Sequence, residues 1–332
     1  MPRRLIPALK GRTIRCILFD LGDTLWSRKD PDVWQRMEYD ANGRAVAILR
    51  TCTDASCLPA LDDMALGKRL RKAIDKHLRT LVRQNLEIEP QGAVAVAHVL
   101  QQWGIENVDS QQCAAIFEGL RVRIPGSRPL FDDVLPTLKE LQRRGFQLGV
   151  VTNRHWGGAN FQEDLQTLGL LDYFAPHHMA ISIDLGIRKP NPAIFLHVLN
   201  EFDFLPEEAA MVGDSLRSDI LGAQLLGLFT IWKPSPALES QVYARKVAAT
   251  AAGATGVSTS TIPSLSSVEL NSDERPDDLP PGMHITDDDY VLAHIQSRAG
   301  KWDEHMQRDI KPDVRIDTLS DLLDIFIKAG EQ

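Results

Sequence analysis

The sequence predicts an α/β chain, a parallel sheet covered by helices and interrupted by an all-helical insertion. Three features point there. Short apolar runs at Cys16-Ile17-Leu18-Phe19, Phe146 to Val151 and Ala209 to Val212 have no polar face and read as strands buried on both sides. Each run ends on polar residues, Asp20, Thr152-Asn153 and Gly213-Asp214, at the strand end where open α/β sheets carry their chemistry. Between the first two runs, residues 29–126 change to helical periodicity.

Residues 1–12 carry a basic start and no apolar run long enough for the core of a signal peptide, so they read as a loose tail. No stretch approaches the ~20 apolar residues that crossing a bilayer requires, and no membrane partner is expected. A length of 332 residues allows a large core plus an accessory domain. The formal net charge of −8 argues against a general nucleic-acid binder, which needs a basic stripe to collect phosphates. Cys16, Cys52, Cys57 and Cys113 show neither CxxC spacing nor a histidine cluster, which points to a reduced, cytoplasmic setting.

The first strand stops on Asp20, and Gly22 and Thr24 then turn the chain abruptly. A carboxylate there can cap a turn, ligate a metal or act as a nucleophile. Close behind, Trp26 and Trp34 either roof the site against an apolar leaving group or pack the hinge. Within 29–126, Asp32 is a candidate cap for a first helix. Leu66, Leu70, Ile74, Leu78 and Leu81 fall on one face of a second, and helices follow from Ala93 and from Ser110, the latter residue a candidate cap.

Strand and helix alternate again from Phe131. Residues 134–144 read as a helix closed by Gly145, and the next strand ends in Thr152 and Asn153, whose hydroxyl and amide can bind a phosphate oxygen or form a turn. Lys189 lies in Lys189-Pro190-Asn191-Pro192, where the prolines restrain the backbone and then open a helix. Asp214 and Asp219 share one tight loop after the third run. Two acids so placed repel each other unless a cation stands between them, and Mg²⁺ suits a site built from Asp20, Asp214 and Asp219.

In order and spacing these motifs resemble the haloacid dehalogenase-like hydrolase superfamily, in its phosphatase-rich branch with a helical cap inserted after the first motif. The nucleophile motif falls on Asp20 to Thr24, the strand-end Thr on Thr152, the lysine on Lys189, and the acidic loop on Gly213, Asp214, Ser215 and Asp219. The resemblance covers about residues 14–234 and resumes from Pro312. It implies a Rossmann-like core made of 13–28, 127–234 and 312–332, with a cap over 29–126. It also implies a Mg²⁺-dependent hydrolase acting on a small phosphorylated substrate. Asp20 would attack the phosphoryl group, Thr152 and the Asn153 backbone would hold its oxygens, and Lys189 would neutralise phosphate and nucleophile. Asp20, the Gly22 carbonyl, Asp214 and Asp219 would hold the metal.

The match departs from the family pattern at Gly22, where the phosphatases carry a second aspartate as general acid and base. Asp23 lies one residue farther on and either substitutes or stabilises the turn. Loss of general acid–base help costs ~10²–10⁴ in rate, so a phosphatase slow on poor leaving groups is expected. Two alternatives stay open: a 2-haloacid-dehalogenase-type hydrolase, which needs no proton for a halide, and a catalytically weak or inactive binding or regulatory protein.

Phe229 to Trp232 reads as a further strand. Residues 235–311 are rich in Ala, Ser, Thr, Pro and acids and read as a low-complexity, disordered insertion with a possible helix over 287–308. Val314 to Asp317 and the leucines after them are expected to supply the last strand and helix of the same sheet.

Overall fold

Ile17 and Phe19 face one side of the sheet and Cys16 and Leu18 the other, so β1 (Cys16–Phe19) needs apolar cover on both faces. A computed structural model describes residues 9, 11–27, 30–255, 285–286, 289–290, 293 and 310–327. After β1 come α1 (Pro31–Cys52), α2 (Asp63–Gln84), α3 (Gly92–Gln102), α4 (Ser110–Gly119) and α5 (Val134–Arg143). Then β2 (Gln147–Thr152), α6 (Gly158–Thr167), β3 (Met179–Ile181), α7 (Ser182–Leu185) and α8 (Pro192–Phe202) lead to β4 (Ala209–Gly213). The described chain continues through α9 (Gly222–Leu226), β5 (Phe229–Trp232), α10 (Pro236–Thr255) and β6 (Val314–Arg315).

The six strands form one all-parallel sheet in the order β3-β2-β1-β4-β5-β6. Strand order reverses at β1 and β4, which opens a crevice at their carboxyl ends. Val134, Leu138 and Leu141 of α5, Phe161 and Leu165 of α6, and Leu322 and Phe326 near the end of the described chain cover one face. Ile194, Phe195, Val198 and Leu199 of α8 and Ala223 of α9 cover the other.

The helices α1 to α4 pack on one another around Val46, Leu49, Leu66, Leu70, Ile74, Val96 and Ile116, a cluster separate from the sheet's own. Of the apolar face expected for α2, Leu66, Leu70, Ile74 and Leu78 are buried and Leu81 is half-buried. Asp30, not Asp32, caps α1: its side chain accepts from the amides of Asp32 and Val33 at 2.9 and 3.0 Å. Pro31, which lacks an amide hydrogen, takes the first helical position and so moves the start back. Asp109 rather than Ser110 caps α4, in a reciprocal pair with Gln112.

Backbone pairing ties this layer, and the segments leading into and out of it, to the sheet, beside the side-chain contacts of Arg121 and Arg123 with Asp164 and of Phe117 with Trp156. Trp26 bridges Leu130 in antiparallel fashion, and the Phe131 amide donates to the Leu25 carbonyl at 3.0 Å. Farther away in sequence, Ile88 bridges Ile187, with Glu89 N–H on Gly186 O at 3.0 Å and Arg188 N–H on Glu87 O at 2.9 Å.

The insertion expected to be irregular from 235 begins instead as helix α10. Its small residues include many alanines, which pay little side-chain entropy in a helix. Pro236 starts it, and Leu238 and Val242 seal it against Leu216, Ile220 and Trp232. Residues 256–284 and most of the expected helix over 287–308 lie outside the described residues; Tyr290 and Ala293 pack on the same cluster. β6 pairs Val314 with Ile231, the last-strand position expected for it.

In the first turn of α10, burial pushes the Glu239 carboxyl up to about 7, against the opposing pull of Lys233. The folded chain therefore holds this proton more tightly than the unfolded chain, whose glutamate titrates near 4.5, and stability falls as pH rises between those values. Glu239→Gln is expected to match the wild-type urea midpoint near pH 4.5 and to exceed it at pH 8 by about 1–2 kcal/mol of stability, given ~1.4 kcal/mol per unit before solvent screening. Equal midpoints at pH 8 would show that the carboxylate is solvated.

Candidate active site

The turn after β1 sets the nucleophile position. The Asp20 amide donates to Val212 O at 2.9 Å, which carries the strand pairing one residue past β1. The chain then folds back at Asp23, at φ +57°, with its amide on Trp26 O at 2.7 Å and the Leu25 amide on Leu21 O at 2.8 Å. Asp20 is thus left buried at the crevice floor. Trp26 is fully buried and packs the hinge, while half-buried Trp34 lies under the Arg128 guanidinium, 4.9 Å from its ring centroid.

Lys189 reaches the same floor from the other side of the sheet. Its Nζ lies 2.7 Å from Asp20 Oδ1, 2.6 Å from Asp219 Oδ1 and 2.6 Å from Val151 O. The backbone that aims it is clamped by the Asn153 side chain, which accepts from Lys189 N–H at 2.8 Å and donates to Lys189 O at 2.9 Å. Burial opposes the ammonium, yet the Asp20 and Asp219 charges outweigh it and hold Lys189 above the usual lysine range. Burial together with Asp20 pushes Asp219 up, against the pull of Lys189 and the Ser215 amide.

After β4 the chain turns through Ser215 into a π-helical stretch, Leu216–Leu221. The Ser215 amide donates to Asp219 Oδ2 at 2.9 Å, and Trp232 Nε1 donates to the Asp214 carbonyl at 2.8 Å. A side chain at Gly213 would strike the Asp219 carboxylate, which therefore rests against bare backbone.

Asp20, Asp214 and Asp219 each bring a carboxylate oxygen to within 4.8 Å of the others. Hard oxygen donors converging in this way suit Mg²⁺, and their combined charge exceeds what Lys189 neutralises. The crevice thus brings together Asp20, Lys189, Asp214 and Asp219. Thr152 is buried at the end of β2 beside Val151, whose carbonyl holds Lys189. Gly22 lies in the turn with open space where a side chain would project.

A family profile described as haloacid dehalogenase-like hydrolase matches residues 14–227. The chain belongs to that family. This hydrolase is similar to a glyceraldehyde 3-phosphate phosphatase of Methanopyrus kandleri, 28% identical over 66% of this chain and 83% of that one. It is also similar to a phosphoserine phosphatase of Thermus thermophilus, 38% identical over 31% of this chain and 40% of that one. Among solved structures, a 2-haloacid dehalogenase from Pseudomonas syringae aligns over 94% of this chain and 97% of its own at 25% identity, with a TM-score of 0.49.

The hydrolase also carries polar groups at the crevice that its motifs do not announce. Glu89, buried in the α2–α3 connection, lies 2.6 Å from His155 Nδ1 and 3.2 Å from Arg188 Nη1, tying that connection to the loops after β2 and before Lys189. Lys233, at the end of β5, has its Nζ 4.1 Å from the Phe131 ring centroid. Burial lowers its pKa, while Glu239, Asp133, Asp214 and Asp23 oppose the shift. These residues are far apart in sequence: Lys233 directly follows β5, His155 stands two residues beyond Asn153 and Arg188 directly precedes Lys189, while Glu89 carries no such signal. Among the described residues no helix is long and apolar enough to cross a membrane.

Proposed function

We propose that this hydrolase is a Mg²⁺-dependent phosphatase of small phosphorylated metabolites that works through an aspartyl-phosphate on Asp20. The observation that carries the proposal is the meeting of Asp20, Lys189, Asp214 and Asp219 at the crevice between β1 and β4. The phosphatase names of the two relatives support it and suggest the substrate size. Four cysteines without a disulfide accord with a reducing, cytoplasmic setting.

Lys189 holds Asp20 Oδ1, which leaves the second oxygen to attack phosphorus as the ester P–O bond breaks. The ammonium offsets repulsion between the carboxylate and the anionic ester. Thr152 and the Asn153 backbone amide would steady phosphoryl oxygens. Asp20, the Gly22 carbonyl, Asp214 and Asp219 would hold Mg²⁺, which when bound neutralises charge developing on the phosphoryl group. Water then attacks the aspartyl-phosphate, releasing inorganic phosphate and the Asp20 carboxylate. The helices α1 to α4 roof the crevice and keep bulk water from the first step.

Gly22 sets the leaving-group dependence, because no side chain there can protonate the departing oxygen. Turnover of an aryl phosphate, which leaves without much protonation, is expected to exceed that of an alkyl phosphate by ~10²–10⁴-fold. Since a Cβ at Gly22 meets nothing within 4 Å, Gly22→Asp should fit and raise alkyl turnover by about 10²-fold in steady-state assays with Mg²⁺. Equal rates on both esters in the wild type would mean that Asp23 or another group supplies the proton. Halide release from a 2-haloacid without turnover of either ester would favour dehalogenation, which Gly22 also permits.

A further inference from the structure

Arg154 stands next to the Asn153 clamp, and its backbone is fixed in both directions. Its amide donates to Ser182 Oγ at 2.8 Å, and Ser182 Oγ donates to its carbonyl at 3.2 Å. The guanidinium lies over the face of Phe161, 4.2 Å from the ring centroid. A guanidinium seated this way keeps its N–H donors in a plane that matches the fork of a carboxylate or phosphate. Among the described residues none accepts a hydrogen bond or forms an ion pair with this side chain, and its Nε is buried without a partner.

The anions in reach are already engaged. Asp164 takes Arg121 at 2.7 Å, Arg123 at 2.9 Å and the Ile124 amide at 3.2 Å. Asp20 is held by Lys189 at 2.7 Å. Burial, together with the like charge of Arg128, lowers the Arg154 pKa to about 9, even though Asp20 and Asp164 oppose the shift. An arginine retained for packing alone would carry a carboxylate partner, since a buried unpaired charge is costly. Arg154 thus stands one residue beyond Asn153 with no ion-pair partner among the described residues.

We propose that Arg154 is a subsite for a second anionic group on the substrate, a carboxylate or a second phosphate. Phosphorylated acids or bisphosphates are then preferred over phosphorylated aldehydes and alcohols. This inference rests on the phosphatase reading for the place of the first phosphoryl group, but its test reads binding and not turnover.

The probes are phosphonates, whose P–C bond gives Asp20 no ester to cleave. Phosphonoacetate and propane-1,3-bisphosphonate carry a second anion; ethylphosphonate does not. Calorimetric titration of the full chain with Mg²⁺ is expected to show at least one of the doubly anionic ligands binding about tenfold or more tighter than ethylphosphonate. Which one gains more tells a carboxylate site from a phosphate site. In Arg154→Gln the preference should fall to about twofold or less, and Arg154→Lys should keep part of it. If near-UV circular dichroism shows Arg154→Gln misfolded, Arg154→Lys, which keeps the charge but not the fork, takes its place, and its preference should fall below that of the wild type.

Equal affinity for all three ligands in the wild type, or an equal weakening of all three in Arg154→Gln, would overturn the proposal. So would binding of none of them. Absence of Asp20-dependent ester turnover alongside an Arg154-dependent preference would instead sink the phosphatase reading and leave the subsite standing.

Discussion

Asp20→Asn is expected to lower kcat for an aryl phosphate by about 10⁴-fold or more, because an amide cannot form the acyl-phosphate that splits hydrolysis into two steps. The substitution keeps the shape of a buried side chain whose Oδ1 already faces a donor, Lys189 Nζ at 2.7 Å. It also removes one of the carboxylates crowding Asp219, whose neutral form burial and Asp20 both favour. The fold should therefore survive, with a urea midpoint at or above that of the wild type. Retention of more than about a tenth of the activity would place the nucleophile elsewhere.

Lys189→Met is expected to damage both turnover and stability. The ammonium sits between Asp20 and Asp219, and its loss leaves two buried carboxylates without their shared counter-charge. Breaking a buried ion pair from one side costs about 3–5 kcal/mol, and the phosphoryl group loses its fixed cation, worth about 10³-fold in kcat. The stability loss should be smaller at pH 5 than at pH 8, since burial already favours the protonated Asp219 carboxyl, and Mg²⁺ should restore part of it. Urea midpoints at the two pH values, with and without the metal, measure both effects. A loss that ignores both pH and Mg²⁺ would mean that the lysine acts through packing.

The strands were legible because burial on both faces leaves no room for polar residues, and Asp20, Thr152 and Asp214 stand out by following such runs, Lys189 by the prolines beside it. What escaped the sequence depends on side chains meeting across the fold. Glu89, His155 and Arg188 are unremarkable singly and meet only because 86–89 runs beside 186–188. Asn153 carries an amide whose use in clamping Lys189 follows from where the Lys189 loop comes to rest. The helix α10 was hidden by composition, since small residues suit both a low-complexity linker and a helix, and the apolar partners that decide for the helix, Leu216, Ile220 and Trp232, lie on other elements. Pro31 and Asp109 shifted two caps by a residue or two, within the ordinary slack of helix ends.

The helices α1 to α4 and their connections are fastened to the sheet side at many points: backbone bonds join Glu89 to Gly186 and Arg188 to Glu87, Arg121 and Arg123 grip Asp164, Asn160 donates to Glu118, and Phe117 stacks on Trp156. A layer tied at points so far apart along the chain has no free hinge, and any shift of it loads these contacts together. Sliding or lifting away would require breaking the Glu89–Gly186 and Arg188–Glu87 backbone bonds. Since the bonds at Gly186 and Arg188 join the segment that leads into Lys189, a displacement of the helices would pull on the backbone that aims the ammonium, and the helical layer and the floor of the crevice share one mechanical linkage.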